Sequence, residues 1–202
     1  MSSGKFITLE GIDGAGKSTH VKVIADLLRA RGKEVVITRE PGGTPLGEKL
    51  RALLLSQSMN IDTETLLMFA ARREHIAQVI APALSAGRWV VSDRFTDATY
   101  AYQGAGGGMA KERIAAIERW VQDGLKPDLT VVFDAPVKVA LARLAKDQPD
   151  RFEREHSGYF ERVRAAYLER AAAEPRRIRV VDSRRTLPEV RKEIENILLS
   201  LD

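Results

Sequence analysis

The stretch Lys5-Phe6-Ile7-Thr8-Leu9-Glu10-Gly11-Ile12-Asp13-Gly14-Ala15-Gly16-Lys17-Ser18 decides the fold, because a β-rich run breaks there into a glycine turn and then into a helical pattern. KFITLE over 5–10 reads as a short strand, and from Ser18 to Arg31 apolar residues recur at 21, 24, 25 and 28, one face of a helix that Gly32 stops. Between them, residues 11–18 match G-x-x-x-x-G-K-S/T. In a strand–loop–helix setting the glycines let the backbone wrap closely around a polyphosphate, and successive N–H groups at the helix N-terminus attract the anion. Lys17 then reaches the β- and γ-phosphates and the Ser18 hydroxyl is set to ligate Mg²⁺. The expected nucleotide site is therefore Gly11, Ile12, Asp13, Gly14, Ala15, Gly16, Lys17 and Ser18, followed by Thr19.

Outward from this loop, strands and helices alternate. EVVIT at 34–38, WVVS at 89–92, LTVVF at 129–133 and IRVV at 178–181 read as four further strands. Their apolar content without clean alternation suits strands buried on both faces. Helices are expected near 45–55, from about 63 to 85 with a break or kink near Pro82, and after Thr186, whose Glu189 completes a capping-box pattern. The stripe Val190, Ile194, Ile197, Leu198 and Leu201 gives this last helix a buried side. The rhythm predicts an α/β fold with a mostly parallel sheet, right-handed crossovers and ligands at the carboxyl ends of the strands. No repeat or linker divides the chain.

The 202 residues contain no Cys, which excludes a disulfide scaffold, a Cys nucleophile and Cys-ligated metals. His20, His75 and His156 are too scattered to suggest a His-built metal site. No run approaches a membrane span or a signal peptide, which makes the cytoplasm the expected compartment. The net charge of +4 raises the question of nucleic acid. Residues 1–137 hold 17 basic and 16 acidic side chains, and 138–202 hold 15 and 12, so the surplus is small and interspersed with acids on helices. Solvated helix faces account for it.

A phosphate loop alone fits a kinase, a GTPase, a motor or a regulatory switch. No guanine-specifying N-K-x-D is present, and the chain is short for a translocating motor. Three segments point to a second phosphorylated substrate. Arg39 follows the second strand in Thr38-Arg39-Glu40-Pro41-Gly42-Gly43-Thr44, and Asp93-Arg94-Phe95 follows the third, where Asp93 can approach Mg²⁺ and Arg94 offers a forked cation to phosphate. Phe69, Arg72, Arg73 and Ile76 share one helical face, on which a ring and a guanidinium can stack on a base and donate to its carbonyl edge.

Together these segments resemble the bacterial thymidylate kinases: LEGIDGAGKST at 9–19, TREPGGTPLGEKLR at 38–51, LLMFAARREH at 66–75, DRFTDATYAYQGAGGG at 93–108 and PDLTVVFD at 127–134. The combination does not resemble adenylate, guanylate or cytidylate kinases. The resemblance implies a three-layer P-loop nucleoside monophosphate kinase fold of about five parallel strands, formed by residues 1–202 as a single domain with a small lid at about 145–155. The implied reaction is transfer of the ATP γ-phosphoryl group to dTMP, with Mg²⁺, in dTTP synthesis, by a homodimer that binds neither nucleic acid nor membrane. A pyrimidine nucleoside monophosphate kinase of broader acceptance is the alternative within that class. Outside it stand a nucleotide-binding switch that transfers nothing and a nucleic-acid binder using the basic last third.

Carried onto this chain, the resemblance makes Asp13 the loop acid near the deoxyribose 3′-hydroxyl. Phe69 becomes the ring on thymine, with Met68 the other candidate, because family members place the aromatic three or four residues before the arginine. Arg72 becomes the donor to thymine O4, and Arg94 and Arg39 the clamps on the dTMP phosphate. Thr99 and Gln103 face the base edge, Tyr102 packs under the sugar and disfavours a 2′-hydroxyl, and Pro41 lies among the substrate contacts. Some members carry an arginine inside the phosphate loop, and others have glycine there with arginines in the lid. Gly14 puts this chain in the second group, with Lys146, Arg151 and Arg154 in the lid AKDQPDRFERE, Arg151 its principal cation and Arg143 near the adenine. Arg151 pairing only with Glu155 one turn on is the plain structural alternative.

Overall fold

A computed structural model describes residues 4–144, 151–152 and 155–201. Lys146 and Arg154 of the expected lid lie outside the described residues. Five parallel strands, β1 (Phe6–Glu10), β2 (Val35–Arg39), β3 (Trp89–Asp93), β4 (Leu129–Asp134) and β5 (Ile178–Asp182), form one sheet in the order β2-β3-β1-β4-β5. Helix α1 (Lys17–Ala30) follows β1, and α2 (Pro45–Ser56), α3 (Ile61–His75) and the short α4 (Ala81–Ser85) lie between β2 and β3. After β3 come the single turn α5 (Thr96–Thr99) and α6 (Lys111–Gln122), after β4 come α7 (Val137–Arg143) and α8 (Ser157–Ala173), and α9 (Leu187–Leu199) closes the chain.

The centre of the sheet is the most buried part of the molecule. β1 and β4 carry Ile7, Leu9, Val131 and Phe133 into a core shared with α1, α8 and α9, while Phe6, Val90 and Phe95 join Ile76, Ile80 and Ala83 in a second cluster. Burying each large side chain contributes about 1.5–3 kcal/mol. The reading of all strands as buried on both faces holds only for β1, β3 and β4. β2 and β5 are edge strands, and Ile37, Arg179 and Val180 face outward where no further strand or helix covers them.

The long helical stretch breaks earlier than Pro82 alone suggests. α3 ends at His75, residues Ile76–Ile80 widen into a π turn in which Ala81 N–H donates to Ile76 O, and α4 begins with Pro82 in its first turn. Pro82 has no N–H to give the preceding turn, and the widening absorbs that loss. A second π turn, Tyr100–Gly106, extends α5 and has no counterpart in the sequence reading. α9 has the expected capping box between Thr186 and Glu189 and buries Val190, Ile194 and Leu198.

The registers bring the candidate segments to one edge. Leu9 of β1 and Arg39 of β2 both pair with Asp93 of β3, so the loop after β1, the TREPGG segment and the DRF segment leave the sheet side by side.

Candidate active site

The loop after β1 turns onto α1 through left-handed glycines. Gly14 has φ +77, and a Cβ there would lie 2.1 Å from the Ala140 carbonyl oxygen of α7, so neither the backbone angle nor the space admits a side chain. Lys17 is buried, and its Nζ donates to Gly11 O at 2.9 Å and Ile12 O at 3.0 Å. Burial, reinforced by the Arg94 charge, lowers its ammonium to about 8. Gly11 and Ile12 thus act through their carbonyls on this lysine, and Ala15 seats the loop in the core.

An open cleft of about 1130 Å³ is lined by Asp13, Gly14, Gly16, Lys17, Ser18, Thr19, Arg39, Asp93, Arg94 and Arg143. Asp93 Oδ1 is buried without a hydrogen-bond partner among the described residues, and Asp93 lines the same cleft as Ser18. A lone carboxylate oxygen and a hydroxyl beside a polyphosphate cradle suit Mg²⁺, which takes few protein ligands and fills its sphere with phosphate oxygens and water. No cluster of three or more His, Cys, Asp or Glu residues that could hold a metal occurs among the described residues. On the cleft wall Arg143 donates to Ser183 O at 3.1 Å and to Gly14 O at 3.5 Å, which ties α7 to the loop. Arg39 is half exposed, pairs with Glu48 at 2.8 Å and lines this cleft only.

Beside the cleft lies a second, partly open cavity of about 590 Å³. Asp13, Glu40, Pro41, Arg51, Met68, Arg72, Arg94, Thr99, Tyr102 and Gln103 are among its walls. Asp13 and Arg94 border both spaces and are joined, Arg94 Nη2 donating to Asp13 Oδ1 at 2.7 Å and to Tyr102 OH at 2.8 Å, and Tyr102 OH donating to Asp13 Oδ2 at 2.9 Å. Burial opposes ionisation of Asp13, but the charges of Arg94 and Lys17 outweigh it and hold the carboxyl well below the usual range. Arg94 has φ +72 and lies 4.5 Å from the Tyr102 ring centroid.

Arg72 is 2% exposed. Its Nε donates to Glu40 Oε2 at 2.8 Å and its Nη2 to Thr99 Oγ1 at 3.0 Å, while Nη1 is buried with no hydrogen-bond partner among the described residues. Glu40 is held in turn by His75 Nδ1 at 2.9 Å, and His75 Nε2 lies 2.6 Å from Thr38 Oγ1. Gln103 Nε2 donates to Glu64 Oε1 at 2.8 Å.

The expectation that Phe69 faces the substrate is not met. Phe69 is 1% exposed and packs with Met109, Ile114 and Val121 between α3 and α6, beneath the Arg72 guanidinium at 4.8 Å, and it is absent from the cavity wall. The adjacent Met68 is on the wall, because a helical step of about 100° turns one neighbour to the core and the other to the opening. Arg151 lies away from the phosphate-loop cleft: its guanidinium pairs with Glu64, covers the Phe152 ring at 4.4 Å, and its N–H donates to Leu55 O at 3.4 Å. Its partner is not Glu155.

Sequence reasoning passed over Glu40 and Arg51. Arg51 borders both spaces and donates to Pro41 O at 3.0 Å. A signal existed, since Gly47, Arg51 and Leu54 fall on one stripe of α2, and a charge on an otherwise buried stripe asks for a reason.

A glycine-rich phosphate loop at the end of β1, with a second cavity beside its cleft and Arg51 and Arg94 bordering both, places the fold among the P-loop phosphotransferases. Comparison with known proteins narrows the class. A sequence profile described as Thymidylate kinase matches residues 9–194. The chain is 61% identical to a thymidylate kinase of Cupriavidus metallidurans over 199 residues, which covers 98% of this chain and 99% of that protein. It is 62% identical to a thymidylate kinase of Bordetella petrii over 199 residues, with 98% and 96% covered. The crystal structure of a thymidylate kinase from Ehrlichia chaffeensis superimposes with a TM-score of 0.81 at 34% identity and covers 98% and 99% of the two chains. The chain belongs to the thymidylate kinase family.

Proposed function

We propose that the cavity walled by Arg72 and Tyr102 takes dTMP and the phosphate-loop cleft takes Mg-ATP, so that residues of both sites perform the reaction that membership of the family carries, phosphorylation of dTMP to dTDP by ATP. The observation that carries this assignment is that Arg94 and Asp13 border both spaces. A cation at that junction can neutralise the acceptor phosphate and the moving phosphoryl group together, and phosphoryl transfer is mostly positioning and charge neutralisation. An acceptor phosphate oxygen attacks the γ-phosphorus in line, and the bond to the β–γ bridging oxygen breaks. Lys17 serves the β- and γ-phosphates, and Arg143 with Leu144 borders the end of the cleft assigned to adenine. Ser18 would hold Mg²⁺ with Asp93 beside it, and the ion would supply charge compensation to the phosphates.

In the acceptor site, the unpartnered Nη1 of Arg72 supports its donation to a thymine carbonyl. Met68 rather than Phe69 lies against the base. Thr99 orients Arg72, Gln103 meets the base edge, Pro41 and Tyr102 wall the sugar and phosphate, and Asp13 accepts from the 3′-hydroxyl. Arg51 adds positive charge around the phosphate, and Arg39 would have to leave Glu48 to join it. Arg151 serves as a lid cation that must leave Glu64 to reach the cleft. Residues 1–202 act as one kinase domain in a homodimer in the cytoplasm, and sedimentation at twice the chain mass is the check on the dimer. No helix among the described residues is long and apolar enough to cross a membrane.

The test is an ADP-release assay over a panel of monophosphates. dTMP is expected to be the preferred acceptor, with dUMP weaker, and equal turnover of dTMP, dCMP and AMP would overturn the acceptor assignment. Lys17→Ala is expected to abolish turnover with every acceptor.

A further inference from the structure

Glu10 ends β1 with a fully buried carboxylate that lines neither cavity, and no step above uses it. Its Oε1 accepts from the Phe95 N–H at 2.7 Å, and its Oε2 accepts from the Tyr167 hydroxyl at 2.9 Å. That hydroxyl in turn accepts from Arg94 Nη1 at 3.0 Å. One carboxylate therefore grips the backbone one residue past Arg94 and, through a single phenol, the tip of the Arg94 side chain.

Arg94 needs such a grip. With φ +72 it occupies the left-handed region that residues other than glycine rarely adopt. Its N–H donates to Leu9 O at 2.9 Å and its carbonyl accepts from Ser92 Oγ at 2.8 Å, so Glu10 supplies the next contact along the turn. The Phe95 ring locks the far side against Phe6, with 4.9 Å between centroids. A carboxylate this deep is costly unless hydrogen-bonded, and an apolar residue in its place would strand the Phe95 N–H. Support of the backbone requires only the contact with Phe95. The second oxygen, aimed through Tyr167 at the guanidinium, goes beyond what folding of the turn demands. Burial and the Asp97 carboxylate push Glu10 up to about 8, against the pull of Arg94 and the two hydrogen bonds.

We propose that Glu10 and Tyr167 are positioning residues of the reaction: they set the direction of the Arg94 guanidinium and so the place of the acceptor phosphate. The proposal rests on Arg94 receiving that phosphate, and its test separates the two. Binding of dTMP and of thymidine, which lacks the phosphate, is measured by calorimetry, alongside kcat, the KM for ATP and the melting temperature. Arg94→Ala is the reference and is expected to weaken dTMP binding while leaving thymidine binding unchanged. Tyr167→Phe cuts the link to Arg94 and leaves the Glu10–Phe95 contact in place. It is expected to weaken dTMP binding and lower kcat by about tenfold, the usual scale for one hydrogen bond to a charged group, with thymidine binding and the ATP KM within about twofold of the parent. Glu10→Gln keeps an acceptor for Phe95 and is expected to show the same selective loss. Should it fail to fold, Tyr167→Phe decides alone. If Arg94→Ala discriminates while Tyr167→Phe binds dTMP like the parent, or loses dTMP and thymidine alike, the positioning role is overturned. If Arg94→Ala itself does not discriminate, the phosphate assignment of Arg94 fails and the positioning role falls with it.

Discussion

Arg72 has one buried nitrogen, Nη1, with no hydrogen-bond partner among the described residues, while Nε and Nη2 donate to Glu40 and Thr99. A guanidinium with two nitrogens already engaged and one left without an acceptor suits a single base carbonyl better than a phosphate. The neighbouring apolar pair divides the remaining work, and two substitutions separate it. Phe69→Ala removes a core ring and is expected to destabilise the fold by about 3–5 kcal/mol in urea unfolding. Met68→Ala is expected to raise the dTMP KM several-fold with a far smaller loss of stability. Reversed outcomes would return Phe69 to the substrate. Titration of Glu10 gives a further residue-level expectation. Its carboxyl is raised from 4.5 to about 8, with Asp97, Arg94 and Tyr167 facing it, so the folded chain holds a proton that the unfolded chain releases. This stabilisation is complete below 4.5 and is lost as pH rises through about 8. Its slope is up to about 1.4 kcal/mol per pH unit. Unfolding curves of the ligand-free chain between pH 5 and 9 should therefore show the parent losing stability relative to Glu10→Gln, and parallel profiles would count against it.

At the scale of elements, the phosphate loop is shaped by a helix that follows it by more than 120 residues. The Ala140 carbonyl of α7 fills the space where a side chain of Gly14 would lie. Gly14→Ala combines a left-handed φ with this collision and is expected to raise the KM for ATP at least tenfold, measured with saturating dTMP, while dTMP binding alone is spared. The same packing is a physical reason for an arginine to come from elsewhere than the loop. The loop itself, the strand ends and the capping box of α9 were legible in the sequence because each is a local pattern: a glycine spacing, an apolar run, a Thr186–Glu189 pair. The orientation of Met68 against Phe69 was not, since both are apolar neighbours on one helix and only the packing of α6 against α3 chooses between them. The pairing of Arg151 with Glu64 spans 87 residues, and no local spacing encodes it. The turns at 76–80 and 100–106 escaped for a similar reason, because a widened helical turn leaves no compositional mark.

For the whole molecule, the cleft and the cavity share Asp13, Glu40, Arg51 and Arg94, while Lys17 borders the cleft alone, and under the proposed assignment ligand-induced stabilisation should divide accordingly. A ligand at a hundredfold its Kd adds about 2.7 kcal/mol to unfolding. Added dTMP is expected to raise the melting temperature of the parent and of Lys17→Ala alike, and to do so far less in Arg94→Ala. Mg-ATP is expected to protect the parent but not Lys17→Ala. A dTMP shift that survives in Arg94→Ala would place the acceptor phosphate elsewhere.

β1 is fully buried and hydrogen-bonded to β3 on one side and β4 on the other, and the Arg94 N–H closes onto its Leu9 carbonyl. Amides so enclosed exchange with deuterium only when the chain opens globally. The Arg94 and Phe95 amides should accordingly be among the slowest in the molecule. Local fraying leaves the catalytic geometry untouched, and deuterium incorporated at those two positions counts the chains that have lost it.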